Sequence, residues 1–534
     1  MHGSCRACRV PAVLLLGVVL ILVIGSPGGS APVSTGGQFL MPIQTDPTMI
    51  SVVGHDTASV MVNKVLFNGL TKPDERTQSP VPDLAEAWTL SSDGLVWTFR
   101  LRRNVKWHDG QPLTAEDVKF TMDLVLDPRT GSRWRSNLLS VQEVKVTGTH
   151  EVQFVLKEPF SPLPVFLGYN MGIVPRHVLQ GTNVNANPAF TKQNPIGTGP
   201  FKIREVRAGS HVTVVANPDF YLGKPKIDSI TFKVITDQNV QIAQLRTGEL
   251  TFVWIEPFNL KALEGTPGIV INEGNQINFY YLSLNKNNPL FQDRKVRQAL
   301  TLGINRQALV SGIMAGKAQL ASHPWNPFLK DYYVETEEFP YDPQRARAIL
   351  SEAGWKPGAS GTLEKDGKPF SFLLTTLRGN PSFEQIGVLA QQYYKNLGLD
   401  PRLEAAEFSV FIRDRRDNRT GSNASQMLVH FWVTPPTPDL YNYYGCEAKD
   451  TGNNTGAYCN PAADRLFLDA RRATNPARQK EAYARLQRMF TDDLPEVPLF
   501  YPIELRALSS RLKGFSPLGI RDALIYAYNW YFER

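Results

Sequence analysis

The chain has 534 residues, with 57 Lys and Arg against 50 Asp and Glu, 42% hydrophobic residues and 20% charged residues. That length is enough for roughly three domains or lobes, and the composition excludes a disordered, fibrous or low-complexity chain. A net charge of +7 without a long Lys/Arg run gives no argument for nucleic acid or an anionic membrane as partner.

Residues 1–9 carry Arg6 and Arg9 and no acid, residues 10–25 are uncharged, and Gly25-Ser26-Pro27-Gly28-Gly29-Ser30-Ala31 follows. Basic, then apolar, then small is the layout of a secretory signal peptide, expected over 1–31. The apolar run falls short of the about 20 residues of a transmembrane helix; an uncleaved N-terminal anchor is the alternative. No cysteine follows the run, so no lipoprotein attachment site is seen, and Cys5 and Cys8 leave with the signal. No second apolar run nears the length of a span, so the mature chain is expected to be soluble and exported, periplasmic or on the envelope exterior. Its two cysteines, Cys446 and Cys459, suggest a disulfide in an oxidising compartment, with two buried thiols as the alternative. Closing a loop of about 14 residues would contribute about 3 kcal/mol.

Asp93-Gly94 between Trp88-Thr89-Leu90 and Leu95-Val96-Trp97-Thr98-Phe99 predicts a hairpin. Asp109-Gly110 makes a second turn, and Thr114 caps a helix with Glu116 and Asp117 in its first turn. Residues 144–156 read as a strand pair, 203–215 and 230–235 as further strands, and 240–246 as a short helix. The second half is more helical: 293–300, 342–353 ending at Gly354, 381–397 stopped by Gly398, 461–473 and 477–494.

Catalytic and metal signatures are absent. The eight histidines are scattered, with no HExxH, no zinc-type cluster and no G-x-S-x-G. Residues 312–318 are one residue short of a P-loop and lack its Ser/Thr, and Gly197-Thr198-Gly199 lacks the third glycine of a dinucleotide fingerprint. No cofactor is expected. Three Asn-x-Ser/Thr patterns at Asn418, Asn423 and Asn453 matter only in a eukaryotic secretory route. Aromatic residues, 10% of the chain, cluster beside proline and glycine in Phe431-Trp432-Val433-Thr434-Pro435-Pro436 and Tyr441-Asn442-Tyr443-Tyr444-Gly445, which suits a binding wall.

Several segments together resemble the solute-binding proteins of ABC importers, specifically the peptide/nickel-binding family (family 5). They are residues 82–118, from Pro82-Asp83-Leu84-Ala85-Glu86-Ala87-Trp88 through Lys106-Trp107-His108-Asp109-Gly110 to Thr114-Ala115-Glu116-Asp117-Val118; Gly197-Thr198-Gly199-Pro200-Phe201; Asn217-Pro218-Asp219-Phe220-Tyr221; Leu282-Ser283-Leu284-Asn285; Tyr341-Asp342-Pro343; and Tyr458-Cys459-Asn460-Pro461. The resemblance covers nearly the whole mature chain. It implies an α/β, periplasmic-binding-protein-like fold of class II (cluster C), with three lobes closing on a ligand. Lobe I is expected at 32–62, 185–275 and 500–534, lobe II at 63–184 and lobe III at 276–499. His108 and Asp109 then fix a turn and are neither catalytic nor metal-binding. Peptide-binding relatives commonly hold the ligand's amine with an Asp just after a Gly-Trp segment; here that position is Pro435, and the nearest acid is Asp439, read as a helix N-cap or a ligand contact. The resemblance further implicates Phe431, Trp432, Trp254, Tyr280 and Tyr281 in the cleft, and alternation lets only one of the two tyrosines face it. It implies no enzyme but a monomeric receptor that hands an oligopeptide or peptide-like solute to separate permease subunits. A non-peptide solute (oligosaccharide, opine-like conjugate or metal chelate) is the alternative on the same fold, and a secreted hydrolase a remote one.

Overall fold

The computed structural model describes residues 36–533 except 55, 170, 276, 420–425, 434–435 and 452. The expected signal segment, the Pro435 position and the glycosylation patterns reaching into 420–425 lie outside the described residues.

Four sheets organise the chain. In the first, Gln38–Ile43 runs parallel to Ser229–Val234, followed by His211–Ala216 and Phe201–Arg207 in antiparallel order. The second is an antiparallel sheet in the order Ala85–Leu90, Val96–Leu101, Glu151–Leu156 and Val141–Gly148. It contains the predicted hairpin, with Gly94 at φ +74° in the turn. Period-2 alternation turns Trp97, Phe99 and Leu101 inward, where Phe99 meets Phe154 edge-on at 5.4 Å. The predicted helix packs behind this sheet as Ala115–Leu126, and Asp117 accepts from the Thr114 N–H at 2.9 Å.

The third sheet has three strands, Phe252–Trp254, Glu504–Ser509 and Ile269–Gly274. The fourth has six, in the order Ala318–Leu320, Glu496–Pro502, Asn278–Leu284, Met427–Val433, Ser371–Leu377 and Asp400–Ala406. Helices Arg294–Leu302, Pro343–Glu352, Pro381–Asn396, Pro461–Arg472 and Pro476–Asp493 carry out the predictions for the second half within two residues at most ends. Helices Thr57–Leu66 and Phe408–Arg419 and strand Met427–Val433 were not legible as elements. The last, apolar except for His430, shows no alternation because both of its faces are covered, which removes the signal that marks a half-buried strand.

The chain crosses between the third and fourth sheets twice, side by side. Ile269–Gly274 continues into Asn278–Leu284, and Glu496–Pro502 returns through Ile503 into Glu504–Ser509. The two segments are hydrogen-bonded to each other on both sides of the crossing. Arg506 pins the crossing. Fully buried, it donates to the carbonyls of Leu518 and Glu273 and to the Asn272 amide oxygen, and lies 4.8 Å over the Phe515 ring. Gly274 is required beside it, since a Cβ there would come 2.7 Å from the guanidinium carbon.

The family-like turn at Gly197 joins the first and second sheets. The Gly197 N–H donates to His108 Nδ1 at 3.2 Å, and His108 Nε2 donates to the Gly199 carbonyl at 3.1 Å. A Cβ on Gly197 would collide with the Leu66 carbonyl. These bonds require a neutral imidazole, and burial drags the His108 pKa down to about 4. Asp109 accepts from the Gln111 N–H at 3.1 Å and faces His177 at 2.7 Å, so both residues serve the turn. Because the folded pKa lies below the ordinary 6.5, this stabilisation is complete above pH 6.5 and is lost as pH falls from 6.5 towards 4. Urea unfolding should therefore show a smaller loss of stability across that window in His108→Asn than in the wild type. Equal pH slopes would contradict the assignment.

Candidate ligand cleft

The register of the six-stranded sheet sorts the predicted aromatic residues onto two faces. Phe279 stands opposite Trp432, Tyr280 opposite Phe431 and Tyr281 opposite His430. Tyr280 stacks on Phe431 at 5.4 Å and on Phe500 at 5.1 Å, with Phe383 of helix Pro381–Asn396 edge-on at 5.9 Å. Tyr280 and Phe431 therefore belong to the helix-covered face. Burial, followed by the charge of Glu256, pushes the Tyr280 hydroxyl up.

Tyr281 and Trp432 share the other face. Half-buried Trp432 meets the rings of His430 and Tyr443 edge-on, each at 4.9 Å, and the Arg415 guanidinium lies 4.6 Å over its indole. Arg415 Nη1 donates to His430 Nε2 at 2.7 Å. Burial and then the Arg415 charge hold His430 well below 6.5, so it stays neutral and accepts. Deeper on this face, the Tyr444 hydroxyl donates to Glu496 at 2.9 Å. Burial pushes Glu496 up and Lys286 down, and each charge partly rescues the other.

Asp439 lies one residue before the N-cap position of the helix that follows it. Its buried carboxylate accepts from Arg471 Nε at 3.0 Å and from the Tyr441 N–H at 3.2 Å, while Leu440 is the N-cap of helix Tyr441–Tyr444. Arg471 is sandwiched 4.8 Å from both Phe160 and Tyr441, and its carbonyl accepts from the Ser161 N–H at 2.8 Å. Through Arg471, Asp439 thus ties the segment at Phe160 and Ser161 to helix Pro461–Arg472. Its carboxylate is engaged there, because a buried charge is tolerated only when paired. A cavity of about 110 Å³ opens along this tether, between Ser161 and Pro162 on one side and Tyr332, Pro436 and Gln479 on the other.

Trp254 ends its strand edge-on to Phe252 at 5.7 Å, half-buried, with its carbonyl accepting from Gln238 at 3.1 Å. Its indole faces Glu504, which accepts from the Ile520 N–H at 2.8 Å and pairs with Arg506 at 3.6 Å. Trp254 therefore stands at the crossing between sheets, whereas Trp432 stands further along the fourth sheet. Among the described residues, no three His, Cys, Asp or Glu side chains gather to hold a metal, and no helix is long and apolar enough to cross a membrane. A larger groove, about 750 Å³, lies elsewhere, among Arg294, Glu335, Glu338, Asp342 and Asp492, where Arg294 and Asp492 pair at 2.6 Å.

The family of bacterial extracellular solute-binding proteins, family 5 (middle region), matches residues 79–453. The chain belongs to this family. It is 30% identical to the oligopeptide-binding protein AppA of Bacillus subtilis, over 96% of this chain and 97% of that one. It is 27% identical to di/tripeptide-binding protein 2 of Pseudomonas aeruginosa, over 86% and 88%. Among solved structures, AppA of B. subtilis in complex with a nonapeptide matches with a TM-score of 0.80 at 30% identity, over 94% of this chain and all of that one. NikZ of Campylobacter jejuni in complex with Ni(L-His) matches with a TM-score of 0.80 at 26% identity, over 92% and 99%. The family is one of solute-binding receptors, and the periplasmic-binding-protein-like α/β fold expected from the resemblance is the one observed.

Sequence reasoning singled out Trp432 but missed Arg415, which reads as one charge among several at 413–416. Only the fold of helix Phe408–Arg419 against the sheet brings it over the indole. Cys446 and Cys459 are bonded in the structure. Between them, Asn454 closes the loop, donating to the carbonyls of Gly445 at 2.9 Å and Tyr458 at 2.6 Å. The double substitution Cys446→Ser/Cys459→Ser should lower unfolding stability by about 3 kcal/mol in urea titration. A change below about 0.5 kcal/mol would mean that the Asn454 bonds alone hold the loop.

Proposed function

We propose that this chain is an exported receptor that captures an oligopeptide or peptide-like solute between its lobes and delivers it to an ABC permease. The observation that carries the reading is the likeness to a nonapeptide-bound oligopeptide receptor along nearly the whole of both chains. The Trp432, Tyr443 and Arg415 wall supports it: rigid aromatic area suits a variable peptide, and a guanidinium suits a carboxylate. In this reading residues 1–31 are a cleaved signal peptide and the mature chain acts as a monomer without catalysis. Lobe I holds the first and third sheets, lobe II the second and lobe III the fourth. We take the last lobe boundary at Ile503 rather than 500, because strand Glu496–Pro502 pairs within the six-stranded sheet.

A second reading, a metal chelate or other non-peptide solute, is favoured by the engagement of Asp439 with Arg471 and by the NikZ likeness. Isothermal titration with free and N-acetylated peptides separates the two. We expect micromolar or tighter peptide binding that Trp432→Ala weakens at least about tenfold while circular dichroism is unchanged. Binding of a chelate or sugar with no response to any peptide would overturn the peptide reading.

A further inference from the structure

The last carbonyls of a helix have no partner within it and must find one outside. In helix Pro461–Arg472 two of them are taken by a residue 309 positions or more away in the chain. The Arg471 carbonyl accepts from the Ser161 N–H at 2.8 Å, and the Ala470 carbonyl accepts from the Ser161 hydroxyl at 3.4 Å. The Gln479 amide donates to the Ser161 hydroxyl at 2.6 Å and also reaches the Ala470 carbonyl at 3.4 Å. Beside this cap, Arg472 pairs with Glu158 at 2.5 Å, and the Arg471 guanidinium lies 4.8 Å over the Phe160 ring. The hairpin turn of the second sheet abuts the same place. A Cβ on Gly94 would come 3.1 Å from both Pro159 and Thr474.

The two sides of this contact belong to different apolar cores. Phe160 is part of the core that serves the first and second sheets, while Phe467 and Ala470 belong to a separate cluster. The bonds that join them are polar or cation–π, and the cavity of about 110 Å³ runs alongside. Such a contact parts more readily than a shared apolar core. The cap also has a substitute: Gln479 already donates to the Ala470 carbonyl and keeps it when Ser161 withdraws. We propose that Ser161 is a closure latch, which caps helix Pro461–Arg472 only while the cleft is shut and thereby slows the escape of bound cargo. This inference rests on the reading in which the lobes close on a peptide. The Arg472–Glu158 pair, 49% and 40% exposed, adds little to the latch and is screened by salt, so the cap is its larger part.

Hydrogen exchange reads the latch locally, because Pro159 and Pro162 leave Phe160 and Ser161 as the only amides between them. The mature protein is compared with and without oligoalanines of three to nine residues. The Ser161 amide should exchange at least about tenfold more slowly with bound peptide than without it. Stopped-flow kinetics supply the second reading. Ser161→Ala should release each bound peptide about threefold faster, with the association rate changed by no more than about twofold, while Ser161→Thr should retain the wild-type rates. Equal Ser161 exchange in the free and bound protein overturns the inference, as does an unchanged dissociation rate in Ser161→Ala. Faster release confined to one peptide length also overturns it, since that marks a direct contact with the cargo. Should Ser161→Ala fail to fold, the exchange comparison in the wild type decides. Failure of every oligoalanine to bind the wild type would instead sink the peptide-receptor reading itself, and this inference with it.

Discussion

The fold depends on one constraint: two strands leave one sheet and enter another side by side, hydrogen-bonded to each other before and after the crossing. A pair of paired strands bends as a unit. Rotation at residues 275 and 503 costs few ladder bonds, while the lobes on either side keep their own cores. Arg506 makes the inner end of this joint rigid. A buried guanidinium is expensive to desolvate, and three described hydrogen bonds, the Glu504 carboxylate and the face of Phe515 offset that cost. Outside the joint the contacts are lighter. Lys317 pairs with Glu273 across it at 2.7 Å, with both side chains well exposed, so that ion pair contributes little to holding one lobe angle.

From this joint the sheet register carries chemistry outward. Only alternate residues of Asn278–Leu284 and Met427–Val433 face the segment at 441–459, and among them Tyr281, His430 and Trp432 form one continuous polar and aromatic strip. The opposite face, with Tyr280, Phe431 and Phe500, is core. The strip is preorganised by neutral His430, which receives Arg415 and thereby fixes the guanidinium over Trp432. A receptor that must also release its cargo gains from such a wall. The area is apolar and rigid, the charge sits at its edge, and closure rather than deep burial strengthens each contact.

Much of this was legible in the sequence, and the exceptions have physical causes. The hairpin of the second sheet, the helix cap at Thr114 and the long helices of the second half follow from turn dipeptides, capping residues and helical periodicity that operate over a few residues. Strands Met427–Val433 and Glu496–Pro502 escape that reading because they are covered on both faces and show no alternation. The rule that only one of Tyr280 and Tyr281 could join Trp432 was local and firm, but which one depended on the partner strand's register. Asp439 shows the same limit. Nothing near it in the chain announces Arg471, 32 residues on, which engages its carboxylate. Arg415 is invisible for a related reason: it becomes notable only through neighbours distant in sequence, Trp432 and His430.

The central claim is that cargo is enclosed by rotation about the double crossing. Small-angle X-ray scattering of the mature protein, with and without a peptide shown by calorimetry to bind, tests it directly. The account predicts that saturating peptide lowers the radius of gyration and sharpens the pair-distance distribution. Tight binding with superimposable scattering curves would contradict it.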